Sequence, residues 1–344
     1  MLTFTPSPEH FVVEEIPAYA PSGAGTHTFV WLEKRGVTTF DAIARLAAAL
    51  GVPARDIGYA GLKDKHATTR QWLSVPDADP ERALSLALGD AGLRVLAAVR
   101  HPHKLRLGHL RGNRFEVVLT GAATDDEIAA LRARFAAVAA DGIPNFFGGQ
   151  RFGADAANAA RGLALLRGEQ RERDRRKRRL MLSALQSAVF NRAVELRCAR
   201  GPLTAVLLGD VLRKTESGGL FVSTDPATEQ LRVDSGEVLP TGPLPGGREI
   251  EPPADTPAYA LESEAIAMVG ATRGDFASLG RELPGARRPV LLRLSETDFA
   301  EDPEASPNGR AVRLRFALPA GGYATVVVAG LLLGDSQRVP HPPR

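Results

Sequence analysis

An α+β fold in which one domain interrupts another is predicted by three features of this sequence. Strand-like runs gather toward the two ends of the chain. Near the start they are Phe11-Val12-Val13-Glu14-Glu15, His27 to Glu33, Gln71 to Val75, Leu93 to Val99 and Phe115 to Leu119; later come Val290 to Leu294, Val312 to Leu318 and Ala324 to Leu333. Between them lies a block of different character. It is helical in pattern from Ala156 to Phe190, more acidic beyond that, and rich in proline and glycine from Pro240 to Pro257. The length, 344 residues, is enough for two domains with their own cores.

The elements read in order as follows. Phe11 to Glu15 opens the fold as a short strand, and Pro17, Pro21, Gly23 and Gly25 turn the chain. Those glycines do not follow a strand and open a helix, so they make no dinucleotide-binding fingerprint. His27 to Glu33 alternates as a strand does. Thr38-Thr39 can cap a helix whose apolar face is Ile43, Leu46, Ala47 and Leu50, and Gly51-Val52-Pro53 stops it. Pro80 to Gly92 reads as a short helical run with Leu84 and Leu88 on one face. Thr124 to Ala140 reads as a longer amphipathic helix with Asp125 and Asp126 in its first turn. Short strands are expected at Val206 to Leu208 and Gly219 to Val222, and a helix at Ser263 to Val269. A tight turn is expected at Pro319-Ala320-Gly321-Gly322, and a frayed polar tail from Gly334 on. No repeat of fixed period is present.

Composition narrows the class. The chain is 44% apolar and 24% charged, ordinary for a globular protein in water. No apolar run approaches the roughly 20 residues of a membrane span. The first residues, with Glu9, Glu14 and Glu15 and no cationic start, do not form a secretory signal. The single cysteine, Cys198, excludes an intramolecular disulfide and a cysteine-clustered zinc site, and is expected to be a small buried side chain. A cytoplasmic location is expected. The net charge is only +3, but the cations are unevenly placed and are mostly arginine, 37 against six lysines. Arginine forks match phosphate geometry and stack on bases.

The most reactive stretch is Gly58-Tyr59-Ala60-Gly61-Leu62-Lys63-Asp64-Lys65-His66-Ala67-Thr68-Thr69-Arg70-Gln71-Trp72. It holds one carboxylate, Asp64, between two lysines and a histidine. Neighbouring cations favour an ionised carboxylate, and glycine lets backbone approach a bulky ligand. On the residues alone a solvated charged turn explains it equally well. A second loop, Gly142 to Gly153, holds Phe146, Phe147 and Phe152 with Asn145, Gln150 and Arg151, which suits base stacking, although a buried aromatic turn is the simpler explanation. Arg100 to Arg114 carries five basic residues, three histidines and no acid. Arg171 to Arg179 carries seven cations and two acids, a phosphate track or a solvated helix face. His101 and His103 could begin a metal site, but no carboxylate or cysteine lies close in sequence to complete one. There is no Gly-x-Ser-x-Gly elbow or P-loop. Asp64 also lacks the neighbouring acids of a magnesium-dependent nuclease.

The string Ala60 to Ala67, with Thr69 and Gln71-Trp72, closely resembles the core motif of the TruD family of tRNA pseudouridine synthases. Further motifs follow in the same order. They are Phe11 to Glu15; Lys104 to Gly108 with Gly112-Asn113; Asn145 to Gly148 with Gln150 to Gly153; Ser183 to Asn191; and Phe316 to Thr325. The resemblance implies a pseudouridine synthase catalytic domain on a mixed, largely antiparallel sheet, in residues 1–154 and 290–344, interrupted by an α+β TRUD domain in 155–289. It implies isomerisation of uridine to pseudouridine, typically at position 13 of tRNA, with no cofactor and no metal. Asp64 falls at the catalytic position, Phe147 would stack on the target base, and Asn145 would orient the carboxylate. Phe11 and Glu15 would complete the pocket. One departure stands out: the family usually has a lysine a few residues before the position of Phe11, and here Thr5 occupies that place, so Lys63 or Arg151 is expected to supply the charge. RNA contacts are expected from Lys104, Arg106, Arg175, Arg176, Arg178 and Arg179. The partner is tRNA, with no membrane and no protein partner, the chain acting as a monomer. The competing reading is an RNA-binding or RNA-folding protein with an inactive pocket, which the missing lysine favours.

Such chemistry needs only a carboxylate. It can attack the sugar, or help remove a ribose proton to give a glycal. Either route must keep the detached base trapped, and the nucleotide must leave its stack at a cost of about a few kcal/mol.

Overall fold

The computed structural model describes residues 1–333 apart from 87, 89–91, 154 and 307–308. The tail read from Gly334 on lies outside the described residues. Two compact units emerge: Met1–Asp141 with Arg293–Ala324, and Gly142–Leu292 with the described residues from Thr325 on. The loop Gly142 to Gly153 therefore clusters with the second unit.

In chain order, the first segment forms β1 (Leu2–Thr3), β2 (Phe11–Pro17), β3 (His27–Arg35), α1 (Thr39–Leu50), β4 (Gly58–Tyr59), β5 (Thr68–Pro76), α2 (Pro80–Leu84), β6 (Leu93–His101), β7 (Leu110–Gly121) and α3 (Asp125–Asp141). The middle segment begins with β8 (Ile143–Pro144), α4 (Asn158–Leu166), α5 (Arg175–Arg200), β9 (Val211–Lys214), β10 (Leu220–Val222) and α6 (Pro226–Asp234). It continues with β11 (Val238–Leu244), α7 (Pro257–Met268), α8 (Arg273–Ser278), β12 (Ala286–Pro289) and β13 (Leu291–Leu292). Then come β14 (Ser295–Glu301), β15 (Arg310–Pro319) and α9 (Ala324–Leu333).

The first unit is built on one sheet in the order β14-β15-β7-β2-β5-β3-β6, with β1 on β7 and β4 on β5. The β2–β5 pair is parallel; its neighbours in the sheet, such as β3–β5 and β15–β7, pair antiparallel. This is the mixed, largely antiparallel sheet expected. Helix α1 covers one region of it. Thr38 caps it by accepting from Asp41 N at 3.1 Å, and Gly51 ends it at φ 74°, a left-handed conformation open to glycine. Its buried stripe, Ile43, Leu46, Ala47 and Leu50, packs with Val30, Leu32, Leu73 and Val75. Elsewhere a chain of aromatic contacts runs Phe11–Phe115–Phe316–Phe135, with centroids 6.2, 5.6 and 6.4 Å apart. It joins β2, β7, β15 and α3.

In the second unit α4, α5, α7 and α8 share a core of Leu165, Leu182, Leu185, Leu261, Ile266 and Phe276. A four-stranded sheet, β10-β9-β11-β12, and the pair β13-β8 complete it.

Several expectations change. Ala324 to Leu333 is helix, not strand: ten almost wholly apolar residues carry no period to read, and their valines bias toward strand. Val206 to Leu208 is not a strand. Val206 N donates to Gln230 Oε1 at 3.0 Å and Leu207 N to Asp210 Oδ2 at 2.8 Å, so side chains take the donors a ladder would use. The long helical run breaks between α4 and α5, where Gly168 turns at φ 74° and Asp174 caps the new helix by accepting from Arg176 N at 2.8 Å. In the run from Pro80 to Gly92, Pro80–Leu84 is helix; residues 87 and 89–91 of that run lie outside the described residues. Cys198 is exposed on α5, not buried.

Candidate active site

The loop that carries Asp64 joins β4 to β5, and β5 lies inside the sheet with β2 and β3 on its two sides. Gly58 begins it where no side chain fits: a Cβ there would sit 2.3 Å from Leu105 O and 2.5 Å from Ser74 Oγ. The loop backbone is then held by side chains from the sheet and α1. Gln71 Nε2 donates to Gly61 O at 3.1 Å, and Lys63 N donates to Thr39 Oγ1 at 3.0 Å. Thr39 Oγ1 in turn donates to Gln71 Oε1 at 3.1 Å. Lys34 Nζ donates to Asp64 O at 2.6 Å and to Lys63 O at 3.4 Å. The Asp64 side chain is exposed, and its Oδ1 accepts from His66 N at 2.9 Å. The main chain is thus pinned while the carboxylate points outward.

Period-2 alternation along β2 puts Phe11, Val13 and Glu15 on its buried face. Glu15 is fully enclosed. Its Oε2 pairs with Lys63 Nζ at 2.8 Å, and its Oε1 accepts from Trp72 N at 3.3 Å. Burial pushes the Glu15 carboxyl up, opposed by the Lys63 charge. Lys63 is therefore committed to Glu15. A cation that feels Asp64 is Lys34, which none of the sequence motifs includes. Its pKa is pushed down to about 8 by burial, with Asp64 pulling it back up and Lys63 lowering it further. A signal existed: extending the alternation of His27 to Glu33 by one residue puts Lys34 on the same face as Val30 and Leu32. A buried lysine at a strand end asks for a partner.

The second unit gathers Asn145, Phe147 and Arg151 around Arg288. Asn145 N donates to Val290 O at 2.9 Å, and its Nδ2 to Pro289 O at 2.9 Å. Arg288 Nη2 donates to Asn145 Oδ1 at 2.5 Å. The Arg288 guanidinium lies 4.1 Å from the Phe147 ring centre, and that of Arg151 lies 5.4 Å away. The Phe147 ring is itself buried, edge-to-face with Phe190 at 5.5 Å. Asn191 clamps the Phe147 backbone, donating to its carbonyl at 3.1 Å and accepting from its N–H at 2.9 Å. No local signal in the sequence singles out Arg288, and Asn191 is visible there only as the end of a longer motif. The sequence-predicted pocket residues thus form two clusters: Phe11, Glu15, Lys63 and Asp64 in the first unit, and Asn145, Phe147 and Arg151 in the second.

The family model for tRNA pseudouridine synthase D (TruD) matches residues 3–173 and 170–330. The chain is 47% identical over 338 residues to tRNA pseudouridine synthase D of Anaeromyxobacter dehalogenans, covering 96% of this chain and 93% of that one. It is 41% identical over 320 residues to the protein of that name in Thermus thermophilus, covering 92% and 85%. The chain belongs to the TruD family. The TruD fold is also that of a solved structure from Methanosarcina mazei, which superposes with a TM-score of 0.77 at 23% identity over 96% of this chain and 93% of that one.

Against TruD membership the basic residues sort themselves by partner. Lys104 donates to Arg55 O at 3.1 Å, and Arg106 is exposed. Arg175, Arg176 and Arg179 are exposed in the first turns of α5, whereas Arg178 is tied to Glu282, with Nη2 3.1 Å from Oε2. A helix N-terminus ordinarily attracts acids, so cations there gain from a bound polyanion. Arg151, Arg176 and Arg179 line a cleft of about 480 Å³ with Ser183 and Gln186, both within the Ser183 to Asn191 motif. Among the described residues no group of three or more His, Cys, Asp or Glu side chains could hold a metal. None of their helices is long and apolar enough to cross a membrane.

Proposed function

We propose that this protein is a tRNA pseudouridine synthase that acts at position 13 of tRNA, with Asp64 as its catalytic carboxylate. The observation that carries the reading is the Asp64 loop, with its backbone held by Lys34, Thr39 and Gln71 and its carboxylate exposed. A group held so loses little freedom when a substrate meets it. The uridine leaves its stack and its N1–C1′ bond breaks, with Asp64 either attacking C1′ or assisting removal of the C2′ proton. The uracil turns and C5 bonds to C1′, expelling the Asp64 carboxylate in the first route, or adding to the glycal while the proton returns to C2′ in the second. The hydrogen on C5 then leaves to solvent and N1 takes a proton. The atoms balance without cofactor or metal.

In this reading residues 1–154 and from 290 on form the catalytic domain, and 155–289 the inserted one. Phe11 and Glu15 shape the uridine pocket. Asn145 and the Phe147 ring serve uridine recognition, with the Arg288 and Arg151 guanidiniums 4.1 and 5.4 Å from the ring centre. The charge elsewhere in the family carried by an N-terminal lysine comes from Lys34. Phosphates meet Lys104, Arg106 and the exposed arginines of α5. The protein works in the cytoplasm as a monomer.

Release of tritium from tRNA carrying uridine labelled at C5 tests this. Wild-type protein should release it and leave pseudouridine at position 13. Asp64→Asn should abolish release while tRNA affinity stays within severalfold, since one charge is a small share of many phosphate contacts. Turnover by the purified variant would sink the assignment.

A further inference from the structure

The first unit has a recess of about 680 Å³, bordered by Tyr19 and four histidines, His27, His101, His103 and His109. Its size falls within the range of small-ligand sites, about 300–1,000 Å³. His27 and His101 are cross-strand partners on β3 and β6, and β6 is the last strand at that end of the sheet. The loop from Pro102 to His109 follows, anchored by Leu105 N donating to Ser74 Oγ at 2.8 Å and Gly108 N to Ala60 O at 2.8 Å. Lys104 and Arg106 also line the recess, and none of its lining residues is acidic.

The rings form a platform. Tyr19 stacks on His101 at 5.1 Å with planes 16° apart and meets His109 edge-on at 5.7 Å. Its hydroxyl is 2.8 Å from His109 Nδ1. His101 also lies 4.5 Å from Phe29 and 6.3 Å from His103. Burial lowers the pKa of both His27 and His101; at His27 Asp77 opposes the shift while Lys104 and His103 add to it, and at His101 His103 and His27 add to it. These two rings are therefore uncharged at neutral pH, and the charge sits on Lys104 and Arg106. Among the described residues the Nδ1 atoms of His27 and His101 have no hydrogen-bond partner. An aromatic floor built on the stacked Tyr19 and His101 rings, with cations beside it, suits neither a free anion nor an apolar chain. It suits a nucleotide, whose base offers a π-face and whose phosphate offers the charge.

We infer that this recess binds one unstacked nucleotide of the substrate RNA, with its base against the Tyr19–histidine platform and its phosphate against Lys104 and Arg106. The inference rests on the tRNA reading above and adds a binding subsite distinct from Asp64. By holding a second nucleotide open, it would select RNA with an unpaired base near the target.

The test uses the full chain and a tRNA transcript carrying 4-thiouridine in place of uridine. Irradiation should cross-link the transcript to the peptide holding His101 and His103, or to that holding Tyr19. With unsubstituted tRNA, His103→Ala should raise KM about tenfold, within the range that removing one base–aromatic stack produces, with a smaller change in kcat. His103→Phe, which restores a π-face without a titrating group, should recover most of that loss. His103 is exposed, so neither change threatens the fold. Cross-links confined to other peptides, or an unchanged KM in His103→Ala, would overturn the subsite even where wild-type protein forms pseudouridine. Absence of pseudouridine with wild-type protein would fell the functional reading itself, and the subsite with it.

Discussion

Lys34 Nζ donates to the backbone carbonyl of Asp64 at 2.6 Å, from a side chain with no exposure to solvent. The lysine lies at the end of β3, and the aspartate on the loop entering β5, its sheet neighbour. A buried ammonium that fixes a carbonyl also interacts through its charge with the carboxylate of the same residue.

Lys34→Met should therefore lower kcat by about 10- to 100-fold, a range of about 1.4–2.8 kcal/mol, with little change in KM for tRNA. Activity in the wild type should also fall as pH rises through about 8, where Lys34 loses its proton. Stability from this group moves the other way. Its folded pKa lies below the unfolded value of 10.5, so the native state is relieved of a buried charge, and gains stability, between about pH 8 and 10.5. Paired pH profiles of turnover and of unfolding, in wild type and Lys34→Met, check both signs. A Lys34→Met enzyme with the wild-type kcat would remove Lys34 from the site.

The α5 arginines should not contribute equally to tRNA binding. Arg178 shares its charge with Glu282, whereas Arg176 and Arg179 line the open cleft. Arg176→Ala with Arg179→Ala should reduce the slope of log affinity against log salt by about 0.7–0.9 for each phosphate no longer neutralised. Arg178→Ala alone should change it less. Equal slopes for the double variant and the wild type would return this helix turn to an ordinary solvated face.

What the sequence made legible was whatever depended on local pattern. The α1 stripe, its Thr38 and Gly51 caps and the alternation of β2 and β3 are all readable, because cap chemistry and periods of 3.6 and 2 are properties of neighbouring residues. The run ATVVVAGLLL was not readable, since a segment apolar throughout has no face, and here Val327, Val328 and Leu331 bury at helical spacing. At the candidate site, Asp64 stood out by its motif. Its partner Lys34 lies 30 residues away, and only the pairing of β3 with β5 brings the two together. Arg288 reaches Asn145 and Phe147 across more than 140 residues, for the same reason invisible to any local reading.

Phe147 offers a separable test of packing. Its ring is buried with Phe146, Phe190 and Val290. Phe147→Ala should cost about 3–5 kcal/mol of stability, the range for removing a buried phenylalanine ring, measured as a lower denaturant midpoint. Phe147→Tyr should cost less unless its hydroxyl is left without a partner. An unchanged midpoint for Phe147→Ala would mean that the ring does not support the core, and would leave recognition as its main role.

Glu249, in the second unit, makes the last prediction. Its Oε2 is buried, with no hydrogen-bond partner among the described residues. Burial pushes its pKa up to about 8, with Glu262 and Glu251 adding to the rise and Arg287 and Arg273 opposing it. The native state therefore holds a proton here that an unfolded chain, with a value near 4.5, gives up. The stability this provides is complete below about pH 4.5 and is lost as pH rises toward 8. Glu249→Gln keeps the shape and stays neutral, so it cannot lose a proton. Relative to wild type, the variant should gain stability steadily between about pH 5 and 8, by an amount on the order of a few kcal/mol. Urea unfolding of both proteins at pH 5, 6, 7 and 8 measures that difference directly. Curves that stay parallel across the range would show that Glu249 is ionised in the folded protein, with its charge balanced by Arg287 and Arg273.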